Sequence, residues 1–528
     1  MLGHSFGAMK KLKICLINPK FEPSYWGFDY ALPLYPGDVR CTMVTGALPH
    51  LAGLTPDHDV HILDENVEAI DYPLLESFDV VGVTGMNVQK ERMRQILHEL
   101  RKRNIFTAVG GAYASVDEEF FDGLCDVLFS GEADDTWPEF VDCFAAGRSY
   151  QRVYKQEQPT DMTALPMPRF DLLKAQRYAT GSVQFSRGCP FLCEFCDIIV
   201  TFGRRPRMKR PEQVIEELDQ LRKSGFFTVF IVDDNFIGNK KAAKELLRAI
   251  IAWQKQHSYP LRLNTEASIN LADDRELLEL LYEANFRSIF IGIETPRAAS
   301  LKETKKYQNV CGESLESKLA RIQNAGLDIS AGFIVGFDND DESIFEDQFH
   351  FIQNNGILLA MVGMLTAVPK TPLYERLRAE GRLRLHDVNC NIVPKNMTPE
   401  QLQKGYWNLL RRLYTPEAFL ERYFKSYRYP EFRQRRAAII ARTNEHRILR
   451  TLLYGFILTW KLFWTLVRDN CVSKIGAVYW GFFWRHRRLY QKGSAGFAQF
   501  VNRCVAHWHF WKFTEEGTNG RLRLFNSG

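Results

Sequence analysis

Through the first 150 residues the apolar positions fall into short runs, each closed by a Gly, a Pro or an acid. KICLINP (13–19), DVHILDE (59–65), DVVGVTG (79–85), FTAVGG (106–111) and VLFSGE (127–132) read as buried strands. Between the third and fourth, VQKERMRQILHELRKRN (88–104) sets Val88, Met93, Ile96, Leu97 and Leu100 at helical spacing. Strands too apolar to face water, alternating with helix, predict a parallel sheet covered on both faces, with ligands at the carboxyl ends of its strands. Residues 151–180 carry Pro159, Pro166 and Pro168, show no sustained period, and read as a linker.

The alternation resumes at 181. GSVQFSR (181–187), FFTVFIVDD (226–234), LRLNTEAS (261–268), SIFIGIE (288–294), DISAGFIVGF (328–337) and LLAMVGMLTAV (358–368) read as six more strands. Helical stretches such as PEQVIEELDQLRKSG (211–225) and DDRELLELLYEANF (273–286) lie between them. Six strand–helix units are too few for the closed eight-unit barrel, so an open, partial barrel is expected over 181–395. Beyond 395 helical patterns take over; they begin with TPEQLQKGYWNLLRRLY (398–414), where Thr398 and Gln401 form a capping-box pattern. The most apolar piece, TLLYGFILTWKLFWTLV (451–467), holds Lys461 and is short for a span of about 20 residues.

A length of 528 residues with 45% apolar and 25% charged positions fits two or three globular domains. Charge sharpens the boundary at the third. Residues 401–528 hold 23 Lys/Arg against 7 Asp/Glu and seven of the ten Trp, whereas the first 400 are net acidic. Basic residues interleaved with aromatics fit a nucleic acid or a membrane interface. The continuous apolar run argues against nucleic acid. Two readings of 451–488 stay open: an interfacial membrane contact with the basic RHRR (485–488) on anionic lipid, or a helical subdomain packed on the barrel. The scattered cysteines suit a reducing compartment, and the N-terminal apolar stretch is too short for a signal-peptide core. The expected location is therefore cytoplasmic, or peripheral on the inner face of a membrane.

The sharpest chemical signal is FSRGCPFLCEFCDI (185–198), with Cys189, Cys193 and Cys196 at spacings of three and two intervening residues. A zinc site would ordinarily draw a further Cys or His pair from elsewhere, and no such pair follows at suitable distance. A cubane iron–sulfur cluster takes one thiolate per iron, so three thiolates leave one iron open to a ligand.

The triplet, with Phe195 just before its third cysteine, resembles the signature of the radical S-adenosylmethionine (radical SAM) superfamily. The resemblance implies a 4Fe-4S cluster on Cys189, Cys193 and Cys196, SAM chelated at the open iron, reductive cleavage of SAM to a 5'-deoxyadenosyl radical, and a one-electron donor such as flavodoxin or ferredoxin. It also implies SAM contacts from Phe195, from Asp233, Asp234 and Asn235 (where many members carry Gly-Gly-Glu), from Glu266 and Ser268, from Glu294, and from Gly332 and Gly336 of the GFIVG motif. A flavodoxin-like domain ahead of such a barrel resembles the cobalamin-binding class. Thr84 and the Gly110–Gly111 pair match two elements of its motif, and Gly131 and Glu132 would share the same edge. The D-x-H-x-x-G element is missing from the loop 18–37, which contains no His.

The architecture, and segments such as LDENVE (63–68), resemble the group that includes hopanoid methylases. The resemblance implies a cobalamin-dependent methyltransferase acting on an unactivated carbon of a hydrophobic or lipid-like substrate. Two rival readings remain. One keeps radical chemistry without methyl transfer, in a cyclase or other oxidoreductase; the other is a non-enzymatic, metal-stabilised protein at the membrane surface.

Overall fold

In the computed structural model the described residues are 10–25, 27–384, 390–442, 448–488 and 494–522. They form two parallel sheets and a C-terminal set of helices. The strands, in chain order, are β1 (Lys13–Asn18), β2 (Cys41–Met43), β3 (Asp59–Asp64), β4 (Val80–Thr84), β5 (Thr107–Gly110), β6 (Val127–Ser130), β7 (Val153–Lys155), β8 (Tyr178–Val183), β9 (Ser186–Arg187), β10 (Arg207–Met208), β11 (Thr228–Ile231), β12 (Arg262–Glu266), β13 (Phe286–Glu294), β14 (Asp328–Val335) and β15 (Leu359–Met364).

The first sheet has the order β3-β1-β4-β5-β6-β7 and is parallel throughout. Both its faces are buried, as the apolar runs predict. Along β1, Ile14 and Leu16 enter one core with Trp137 and Phe140, while Cys15 and Ile17 enter another with Met93, Ile96 and Leu97. The chain leaves β1 towards β3 on one side and β4 on the other, so the order reverses between β1 and β4. That is the switch point at which doubly wound sheets hold ligands.

The second sheet runs β15-β14-β13-β12-β11-β8-β2, again all parallel, with β15 and β2 at opposite, unjoined ends. It contains the six expected strands and one more. β2, from the N-terminal part of the chain, pairs with β8 through Cys41↔Tyr178 and Met43↔Thr180. Three residues are too few to show a period, so CTM is invisible as a strand in the sequence. For the same reason β7 lies hidden inside the stretch expected to be a linker; only Tyr154 turns inward, stacking on Phe129 at 5.2 Å between ring centroids.

The first barrel strand also differs from expectation. β8 starts at Tyr178 and stops at Val183, and Ser186–Arg187 forms a two-residue antiparallel pair with β10. Asp233 diverts the chain there, because its carboxylate accepts the amides of Phe185 and Ser186 at 2.8 and 3.0 Å and the Ser186 hydroxyl at 2.6 Å.

The C-terminal helices share one continuous core with the second sheet, Leu365 and Phe333 joining Leu402, Tyr414 and Phe510. The capping box at Thr398 forms: Gln401 N–H donates to Thr398 Oγ1 at 3.2 Å, and Thr398 N–H to Gln401 Oε1 at 2.7 Å. The helix Ile448–Arg468 lies on the helix Ser494–Thr518. No helix among the described residues is long and apolar enough to cross a membrane.

Candidate functional site

The cysteine loop leaves β9 through Gly188, whose φ is +94°. A Cβ there would lie 3.0 Å from the Gly203 carbonyl oxygen and 3.1 Å from that of Arg205, so only glycine passes. Asp234 accepts the Gly188 amide at 2.7 Å, and Cys189 N–H donates to the Gly203 carbonyl at 3.3 Å. The loop is closed at Cys193–Cys196 by a turn in which Cys196 N–H meets the Cys193 carbonyl at 3.2 Å.

Each thiol has a nearby amide or charge. The Asn235 side-chain amide points at Cys189 Sγ from 3.9 Å and that of Gln308 at Cys193 Sγ from 3.7 Å. Burial, with smaller contributions from neighbouring acids and the other thiols, pushes Cys189 and Cys196 up from the ordinary thiol range. No three His, Cys, Asp or Glu side chains among the described residues close on a single-ion site. A cubane makes no such demand, since each thiolate binds its own iron.

Four polar side chains, Asp233, Asp234, Asn235 and Glu266, stand at or just past the ends of β11 and β12, and each has a different lot. Asp233 is consumed by Phe185 and Ser186, Asp234 by Gly188, and Asn235 by Ser268, whose amide meets Asn235 Oδ1 at 3.2 Å. These residues brace the cysteine loop from behind. The side chain of Glu266, at the end of β12, is half-buried and has no hydrogen-bond or ion-pair partner among the described residues. Burial, together with the charges of Asp234 and Asp233, raises it to about 8, while burial first of all raises Asp233 to about 7 and Asp234 to about 6. An acid so placed is costly alone and suited to a cationic ligand.

Glu294 closes β13 with φ at +66°, a left-handed conformation strained for a side chain with a Cβ. It is ion-paired with the buried Lys306. The Lys306 ammonium sits 5.8 Å from the Phe195 ring centroid, and Phe195 stands 6.1 Å from Phe337. Gly332 faces Phe290 closely, where a Cβ would meet the ring at 3.0 Å. Gly336, at φ +106°, and Phe337 give their amides to Asp340 Oδ2 at 3.0 and 3.1 Å.

At the first sheet, Thr84 ends β4 in the interior, beside Gly111. Gly111 has φ +95° and approaches the Gly85 backbone so closely that a Cβ would lie 2.9 Å from its nitrogen. Gly110 backs onto Phe129. Gly131, at φ +81°, donates to Ser115 Oγ at 2.8 Å and has open space where a side chain would go. This rim of close backbone suits a broad ligand recognised by shape. Glu132 is engaged elsewhere: Arg187 and Arg207 bind it at 2.7 and 2.9 Å.

Sequence reasoning missed several residues that hold the site. Arg187, two positions before Cys189, is buried between the sheets and also binds Asp134 at 2.5 Å, which accepts Thr160 Oγ1 and contacts His50 Nε2. Against the opposing, and largest, effect of burial, the hydrogen bond with His50 and then the charge of Arg187 hold Asp134 well below the usual carboxylate range. Arg376 ties Glu194 of the cysteine loop to Asp338 after β14, at 2.7 Å each. Arg187 is visible in FSRGC; Lys306, Gln308 and Arg376 lie in helices and loops with no motif of their own.

Residues 183–352 match the Radical SAM superfamily, and residues 371–521 match a Domain of unknown function (DUF4070). The chain is 37% identical over 419 residues to the hopanoid C-2 methylase of Rhodopseudomonas palustris (strain TIE-1), covering 78% of each protein. It is 39% identical over 426 residues to an uncharacterized methyltransferase of Synechocystis sp., covering 79% of this chain and 78% of that one. The solved structure of the cobalamin-dependent S-adenosylmethionine radical enzyme OxsB, with aqua-cobalamin and S-adenosylmethionine bound, superposes with a TM-score of 0.59 over 97% of this chain and 81% of its own. At 15% identity that likeness is one of fold.

Proposed function

Since this chain belongs to the radical SAM superfamily, alongside the hopanoid C-2 methylase, we propose that it is a cobalamin-dependent radical SAM methyltransferase acting on an unactivated carbon of a hydrophobic or lipid-like substrate. Residues 1–150 would form the cobalamin-binding domain, 181–395 the radical SAM barrel and 396–528 the helical extension.

The observation that carries the reading is Glu266, a half-buried carboxyl without a side-chain partner, near the Asp233–Asp234 pair that braces the loop of three thiols. A sulfonium- and ammonium-bearing ligand would favour its charged form. Cys189, Cys193 and Cys196 would hold the cluster, with Asn235 and Gln308 donating towards two of the sulfurs. Phe195, flanked by Phe337 and Lys306, offers a face for a base. Gly111 and Gly131, with Thr84 and Gly110, would form the backbone rim for cobalamin. When bound, the cluster supplies the electron that cleaves SAM, and cobalamin supplies the methyl group. The chain's own part is to orient these ligands: Asp233, Asp234 and Asn235 fix the cysteine loop, and Arg187 fixes one sheet against the other. An external one-electron donor of the flavodoxin or ferredoxin type would complete the system, with the enzyme peripheral on the inner face of a membrane.

Anaerobic purification with cobalamin supplied, followed by iron, corrinoid and 5'-deoxyadenosine assays on one sample, tests the proposal. The expected result is about four irons and one corrinoid per chain, with 5'-deoxyadenosine formed on reduction. Absence of 5'-deoxyadenosine from a sample loaded with iron would overturn the radical reading. Product mass separates methyl transfer from a cyclase or oxidoreductase.

A further inference from the structure

The helix Ile448–Arg468 has two unlike faces. Gly455, Leu458, Leu462 and Leu466 are buried, with Gly455 against Ala498 of the last helix. On the other side Leu452, Leu453, Phe456, Trp460, Phe463 and Trp464 stand in solvent, Phe456 being 66% exposed. The helix Ala477–His486 repeats the arrangement, with Tyr479 and Phe482 inward and Trp480 and Trp484 outward at 60% and 47% exposure. Scattered exposed apolar residues are ordinary; a run along successive turns of one helix, renewed on the next, marks an interaction face.

Charge identifies the partner. Between 452 and 488 the chain carries six Lys/Arg against Asp469 alone. Asp469 is neutralised by Arg468 at 2.9 Å and Lys512 at 3.0 Å. Lys461, which would count against burial in lipid, turns away and gives its ammonium to the carbonyls of Pro33 and Tyr35 at 3.0 Å each. Arg485, Arg487 and Arg488 are exposed at the end of the second helix, Arg487 lying 5.7 Å from the Trp484 ring centroid. Apolar and aromatic side chains bordered by arginines, without a free acid, suit the headgroup layer of an anionic bilayer.

We infer that the outer faces of Ile448–Arg468 and Ala477–His486 form a monotopic membrane-binding surface for anionic phospholipid. The helices lie along the bilayer, tryptophans at headgroup depth and arginines on lipid phosphates. This deepens the hydrophobic-substrate reading proposed above and rests on it only for its purpose, since its residues lie apart from the cysteine loop.

Flotation of the full-length protein with vesicles of phosphatidylcholine, with and without phosphatidylglycerol, tests it. The wild type should float with the anionic vesicles and be released by salt. A Phe456→Ser/Trp460→Ser/Trp464→Ser variant should lose at least about tenfold in partitioning. An Arg485→Gln/Arg487→Gln/Arg488→Gln variant should lose the preference for anionic lipid, on the order of fivefold per arginine. Brominated lipid should quench wild-type tryptophan fluorescence, a check that needs no substitution.

A wild type that stays with the unbound fraction, or variants that float like it, would overturn the inference. So would a lipid-free dimer that the aromatic variant converts to monomer, because a second copy would then cover the face. The aromatic variant should form 5'-deoxyadenosine like the wild type in detergent-free solution. If neither forms any while flotation behaves as described, the catalytic reading fails and the membrane surface stands.

Discussion

The carboxyl ends of the two parallel sheets invite comparison, for both are candidate ligand edges built on parallel strands, one doubly wound and one an open partial barrel. At the second sheet the site is made of side chains left in want: three thiols on one loop and Glu266, half-buried without a side-chain partner. At the first sheet the polar groups answer one another. Glu132 and Asp134 are taken up by Arg187, Arg207 and His50, and what remains on the rim is backbone at Gly111 and Gly131. One edge is prepared to bind by charge and coordination, the other by shape.

The largest effect that separates the two edges is expected from alanine at Cys189, Cys193 and Cys196 together. Iron binding and 5'-deoxyadenosine formation should vanish while corrinoid is retained; residual SAM cleavage would remove the division of labour. Next comes the seam between the edges. Arg187→Met leaves Asp134 and Glu132 with fewer cations in a buried setting and should cost about 3 kcal/mol of unfolding free energy, measured by urea denaturation. A loss within error would mean that Arg207 and His50 suffice.

Gly111→Ala forces a side chain into a left-handed backbone against Gly85. About 2 kcal/mol of stability is at stake, and corrinoid should be lost while the iron content holds. Equal loss of both would show that the first edge is only a support for the second. The smallest effect expected is at Glu266. Glu266→Gln should weaken SAM binding about tenfold, roughly 1.4 kcal/mol, by isothermal titration.

Glu266 also sets a pH dependence. Its folded value of about 8 lies above the ordinary 4.5, so between those values the folded ligand-free protein keeps a proton that the unfolded chain has released. Stability should therefore fall as pH rises across that window, and the Glu266→Gln protein should fall less. Parallel melting curves would leave Glu266 without its proposed solitude.

How much of this was readable beforehand follows the same division. The parallel sheets, the open barrel and the cysteine loop were legible because apolar runs and thiol spacing are local in sequence. Asp233, Asp234 and Asn235 are expected from the resemblance as SAM contacts; the structure shows them bracing the loop through amides of Phe185, Ser186, Gly188 and Ser268, which no spacing reveals. Glu132 stood on the expected strand end, and Arg187 and Arg207, distant in sequence, decided its partners. β2 and β7 were lost because three residues cannot display a period. Of the two readings of the C-terminal helices, packing is seen on one face of Ile448–Arg468, while the other face is open to solvent and the membrane reading rests on the flotation test.

The small strand β2 bears on how this protein could be taken apart. Its three residues come from before the first sheet is complete, yet they border β8 in the second. A fragment starting at residue 181 would lack β2 and the half of β8 that pairs with it, keeping only Gly181–Val183 along β11 as a short, bare edge ready to pair with other chains. The two lobes are interlocked rather than strung together. Neither can be exchanged with a relative's lobe by a single cut, and any working chimera must carry residues 41–43 along with the barrel they complete.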